Sequence, residues 1–141
     1  MLISVLLLSA ALSAQAPAAG TLLPPAVKSA FDKAYPGATI ATVKQERDVN
    51  RTLFRVDSLH QGKRRIVLFD GAGAVIEVAE QVEEKELPPP VVEAIRAHRR
   101  AIYVSGLKVT RGGSVEYRLT VRGSRRTAMV AKPDGTVVSF E

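Results

Sequence analysis

Apolar positions along this chain follow two rhythms, one helical and one of period two, and the pair comes round twice. Val27, Ala30, Phe31 and Ala34 fall at i, i+3, i+4, i+7, with Lys28, Ser29, Asp32 and Lys33 between them. That spacing is one stripe of an amphipathic helix. Pro24 and Pro25 suit its start, because the first turn leaves N–H groups unpaired in any case. Tyr35-Pro36-Gly37 ends it, since proline disfavours a helical residue before it and glycine can take the positive φ of a reversal. Beyond Gly37 the pattern becomes that of β-strands rich in branched residues, at 40–46, 52–58, 65–69 and 75–82. The breaks carry Asp48 and Asn50, then Gly62, then Asp70-Gly71-Ala72-Gly73. Connections this short predict antiparallel hairpins.

The stretch LPPPVVEAIRA at 87–97 restates LPPAVKSAFDKA at 23–34. Val91, Ala94, Ile95 and His98 reproduce the helical stripe, and strands are predicted at 102–110, 115–122, 126–131 and 136–140. The Tyr-Pro-Gly stop is missing from the second copy; His98, Arg99 and Arg100 instead bring polar and cationic groups to the helix's carbonyl end, where the dipole favours them. Phe54-Arg55-Val56 matches Tyr117-Arg118-Leu119, Gly62 matches Gly123, Arg64-Arg65 matches Arg125-Arg126, and Gly73 matches Gly135. Self-similarity of this kind is the mark of a tandem duplication. The expected architecture is α+β: tandem α-β-β-β-β repeats, at 22–86 and 87–141, forming one antiparallel sheet with helices packed on one face. The segment 82–90, with three glutamates and three prolines, is the expected linker.

Strand alternation assigns side chains to faces. Val115, Tyr117, Leu119 and Val121 should lie under the helices, as should Phe54 and Val56. Glu116, Arg118, Thr120 and Arg122 then take the open face, with Leu53, Arg55 and Asp57. The third strand of each unit is apolar on both sides; with Val67, Phe69, Ala128 and Val130 inward, Ile66, Leu68 and Met129 point out beside the arginines. The expected partner-binding set is therefore Arg55, Leu68, Arg118, Arg122 and Met129, an arginine-rich face with an apolar strip, as at an interface centre.

The first residues change the expected compartment. Residues 2–12 form an apolar run of secretory length, short of the ~20 residues that span a bilayer. Ala14-Gln15-Ala16 offers the cleavage site, so 1–16 is the expected signal peptide and 17–21 a flexible mature N-terminus, in a periplasmic or secreted protein. Hydrophobic residues make up 46% of the 141 and charged residues 24%, a globular composition. With no cysteine, disulfides and thiolate metal sites are excluded.

The formal charge of +6 is unevenly placed. Lys and Arg balance Asp and Glu over 20–86, whereas 87–141 carries the whole excess of +6. Such asymmetry suggests that the second half meets an anionic partner or surface.

The two Leu-Pro-Pro-x-Val-x-x-Ala copies, the Tyr35-Pro36-Gly37-Ala38 stop, the aromatic-x-Val/Leu strands and the Asp-Gly turns resemble the PepSY-like family, whose fold is similar to the beta-lactamase inhibitor protein. The resemblance covers 22–141 and departs at Arg99-Arg100-Ala101, where a second Tyr-Pro-Gly would stand. It implies helix-plus-four-strand units sharing one continuous, often concave, sheet in exported bacterial proteins. It further implies a role in regulating peptidases, since PepSY domains proper occur in the inhibitory propeptides of metallopeptidases. The family has no shared catalytic residues to carry over.

The residues themselves offer little chemistry. Two histidines and no cysteine show no metal-ligand spacing, and neither a phosphate loop nor the Gly-x-Ser-x-Gly nucleophile motif occurs. The chain is not expected to be an enzyme or to hold a cofactor. Nucleic acid is disfavoured by the lack of interleaved aromatics. The leading expectation is an exported non-catalytic module whose open sheet face holds a protein or peptide partner, a peptidase among the candidates. The alternative is electrostatic adhesion of the basic second repeat to an anionic envelope polymer or lipid surface, although no amphipathic helix is free to support membrane contact.

Overall fold

The computed structural model of the chain describes residues 22–141. The expected signal peptide and flexible segment lie outside the described residues. The elements run α1 (Pro25–Ala34), β1 (Thr39–Asp48), β2 (Arg51–His60), β3 (Lys63–Asp70), β4 (Val75–Gln81), a 3-10 turn at Glu84–Glu86, α2 (Pro89–Ala97), β5 (Ile102–Arg111), β6 (Ser114–Arg122), β7 (Arg126–Ala131) and β8 (Val137–Phe140). All eight strands form one sheet in chain order, each antiparallel to its neighbour.

Register places both helices on the same side. Val56 opposes Val67, which opposes Val78, then Thr110 and Val115, and Val115 shares its face with Tyr117 two residues on. Val27 and Phe31 of α1 pack on Phe54, Val56, Val67 and Phe69. Val91 and Ile95 of α2 pack on Tyr117, Leu119, Val121, Met129 and Ala131. The molecule is thus an α+β fold with two apolar cores under one sheet. Full burial of large side chains such as Phe31, Phe69 and Ile95 contributes roughly 1.5–3 kcal/mol each.

Each helix start is also braced by a turn from its own core. Gly73, in the β3–β4 turn, has φ +87° and leaves room for Ala26, whose carbonyl oxygen would sit 2.7 Å from an added Cβ. Gly135, in the β7–β8 turn, has φ +86° and approaches Pro90, whose carbonyl oxygen would sit at 2.6 Å. Asp70 and Asp134 tie these turns by accepting from the N–H groups of Ala72, Ala74 and Thr136.

The predicted linker is ordered. Val82 and Leu87 are buried in the second core, Glu83 and Glu86 cap the 3-10 turn reciprocally, and the Tyr103 hydroxyl donates to the Val82 carbonyl. Direct pairing of β4 with β5, from Glu77↔Arg111 to Gln81↔Leu107, makes the sheet continuous. At the end of α2 the His98 N–H closes on Ala94 and Ile95, and the chain then reverses through two left-handed residues, Arg99 (φ 52°) and Arg100 (φ 55°). The His98 ring stacks on Phe140 at 3.9 Å.

Met129 is not on the open face. It is fully buried under α2, opposite Leu119. The cause is loop length: two residues join β2 to β3, with His60 opposing Lys63, whereas three join β6 to β7, with Arg122 opposing Arg126. One added residue turns every side chain of the following strand over, so Met129 corresponds to Val67 in position, and Ala128 and Val130 take the open face.

Candidate functional site

No described helix lies on the open face, yet its centre is dry. Leu53, Leu68, Ala79 and Val109 are all buried there, as is Glu77, the one charged residue among the described positions that is buried. Cross-sheet rows bring them together: Lys44, Arg55, Leu68, Glu77 and Arg111 lie in one line, and Asp57, Ile66, Ala79, Val109 and Glu116 in the next. Neighbouring side chains of the same face must provide the cover, and the long ones are arginines and glutamates.

These charges are paired across strands. Arg55 Nε donates to Glu46 Oε1 at 2.5 Å, and Arg64 pairs with Asp57. Glu77 accepts from Arg111 at 2.9 Å, and Arg118 stands 3.7 Å from Glu77 while holding Glu116 at 2.8 Å. Glu77 comes from the first half of the chain and its arginines from the second, so this triad is assembled across the joint of β4 and β5. Two open depressions flank it. One, of about 960 Å³, is bordered by Glu77, Arg111, Glu116, Arg118, Lys132 and Asp134; the other, of about 560 Å³, by Gln81, Leu107, Arg118, Thr120, Ala128 and Val130.

Of the sequence-derived set, Arg55, Leu68 and Arg118 therefore share this surface, Arg122 stands exposed at its far end, and Met129 is absent from it. Arg55 and Arg118 are not free cations but halves of ion pairs. The carboxylates Glu46 and Glu77 escaped the sequence reading. Glu77 could be placed only once the register of β4 against β5 was known, because alternation within 75–81 does not say which strand of the other half lies beside it. Among the described residues no three metal-ligating side chains converge.

The hydrogen bond from Arg55 holds the Glu46 carboxyl below its ordinary value of 4.5, against a smaller opposing effect of burial. Arg64 does the same for Asp57, below 3.8. A depressed carboxyl stabilises the fold fully above its ordinary value, and the contribution is lost as pH falls through the depressed one. Thermal melts of the parent and of Glu46→Gln should accordingly differ at neutral pH and converge as the pH is taken below 4.5. A gap that persists in acid would show that the pair does not carry the difference.

No protein-family model and no curated protein matches the sequence. Solved structures do. A DUF2874 family protein from Bacteroides uniformis superposes with a TM-score of 0.67 at 21% identity, over 84% of this chain and 88% of that one. A protein from Bacteroides eggerthii, described as periplasmic, gives 0.70 at 18%, over 85% and 88%. A BLIP-like protein from Bacteroides fragilis gives 0.62 at 22%, over 86% and 88%. At these identities the likeness is one of fold: two helices against an eight-stranded antiparallel sheet, the architecture this chain shares with a BLIP-like protein.

Proposed function

We propose that this chain is an exported, non-catalytic binding module that holds a protein or peptide partner on the open face of its sheet, with a peptidase as the partner it would restrain. The observation that carries this reading is the dry centre of that face: an apolar floor under paired arginines and glutamates with no helix over it among the described residues. Ion pairs held in place before binding lose little side-chain freedom on docking, and Arg118, shared between two carboxylates, can exchange one for a carboxylate of the partner. Leu53, Leu68 and Val109, themselves buried, form the floor that holds Arg55 and Arg118 in place for the partner. Support comes from the fold shared with a BLIP-like protein and from the PepSY-like resemblance of 22–141. Export is supported by the apolar run at 2–12 and by the periplasmic description of the Bacteroides eggerthii protein.

The test is site-directed photo-crosslinking in the native envelope. A probe at Leu107 or Thr120, on the open face, should trap a defined protein adduct, and a probe at Lys28, on the outer side of α1, should not. Arg118→Ala should weaken the adduct about tenfold or more, the loss expected of a central arginine, with little change in melting temperature. Equal trapping from Lys28, or an adduct indifferent to Arg118→Ala, would refute the assignment of the face.

A further inference from the structure

The arginines of this protein fall into two groups. Arg51, Arg55, Arg64, Arg65, Arg111 and Arg118 each meet a carboxylate. Arg47, Arg96, Arg99, Arg100, Arg122, Arg125 and Arg126 meet none among the described residues; of these seven, the last five are exposed together at one end of the sheet. They come from two turns that touch: a Cβ at Gly123 would lie 3.7 Å from the Arg99 carbonyl oxygen. Between the turns is a hollow of about 210 Å³ bordered by His98, Arg99, Ser124, Arg125, Phe140 and Glu141. Glu141 is the carboxylate at its margin.

The same end concentrates local costs. Arg99 and Arg100 hold left-handed backbone that side-chain-bearing residues avoid, and Arg122 faces Arg126 directly across the β6–β7 hairpin, a like-charge pair that weakens a sheet. The carbonyl end of α2 accounts for a cation near Arg99 or Arg100; it does not account for the hairpin arginines. The repulsion between Arg122 and Arg126 is a cost that a bound anion would offset.

We infer that this end of the molecule, including the far edge of the open face where Arg122 and Arg126 stand, docks on an anionic phospholipid surface, a contact separate from the dry centre of that face. Clustered cations are drawn to the phosphates of anionic headgroups by charge alone, whether guanidinium or ammonium. The choice of a bilayer over a dissolved polyanion rests on Ile102. It is 54% exposed and lies in one row with Arg122 and Arg126, and a headgroup region takes an apolar side chain that a dissolved polymer would leave in water.

The experiment is co-sedimentation of the full chain with phosphatidylcholine vesicles, with and without phosphatidylglycerol. Binding should need phosphatidylglycerol and fade as salt is raised. Arg99→Gly/Arg100→Gly should lose roughly 25-fold in partitioning, about fivefold per arginine, while its melting temperature holds or rises because glycine is at ease in that conformation. Replacing Arg122, Arg125 and Arg126 by lysine should keep most of the binding, whereas replacing them by serine should cost roughly a hundredfold. Equal binding to both vesicle types, unchanged partitioning of the glycine variant, loss in the lysine variant, or capture of inorganic polyphosphate without capture of vesicles would each overturn the inference.

Discussion

Met129→Ala is expected to destabilise the protein by about 2–5 kcal/mol, the range for truncating a long side chain in a closed core. Met129 is completely buried between Leu119, Ala131 and the apolar side of α2, and a cavity there has no neighbour able to fill it without moving the helix. The loss should appear as a fall in melting temperature on the order of 10 °C. Ala128→Ser, one position away on the exposed side, should change stability by no more than about 0.5 kcal/mol. The pair of measurements reads the phase of β7 directly. Were Met129 on the open face, the two effects would be similar and small, and partner capture would respond to Met129 instead.

Gly135→Ala should cost about 2–4 kcal/mol, with Gly73→Ala close behind it. Positive φ alone accounts for about 1–2 kcal/mol of that. The remainder is steric: the new Cβ would press on backbone, the Pro90 carbonyl in one case and the Ala26 carbonyl in the other, and backbone in a helix's first turn cannot rotate aside as a side chain tip can. Gly113 separates the two contributions. Its φ is +82° with nothing within 4 Å of an added Cβ, so Gly113→Ala should show only the conformational part. Equal losses at Gly113 and Gly135, read from denaturant midpoints, would mean that the turn does not brace the helix.

Much of the fold is legible before any coordinates. The 3.6-residue stripes place Val27 and Phe31, and Val91 and Ile95, on the buried sides of their helices, because a helix must bury its apolar face to persist. Alternation in 53–57 and 115–122 assigns faces to Arg55, Arg118 and Arg122 for the same reason. It fails at 126–131, where both faces are apolar and the deciding quantity is the number of residues in the preceding loop. It fails differently at Glu46 and Glu77. Their strands are readable, but the charges they neutralise lie on other strands.

Composition and spacing alone determined the α+β class, the strand positions, the absence of disulfides and the placing of the basic excess after Leu87, since each depends on local propensity or on counting. Only the tertiary structure decided that Met129 is core, that Arg55 and Arg118 are already paired, and that five other arginines gather at one end with no ion-pair partner among the described residues. Those facts depend on register between strands far apart in the chain, which hairpin loops and the joint of β4 with β5 set, and a shift of one residue there exchanges inside for outside.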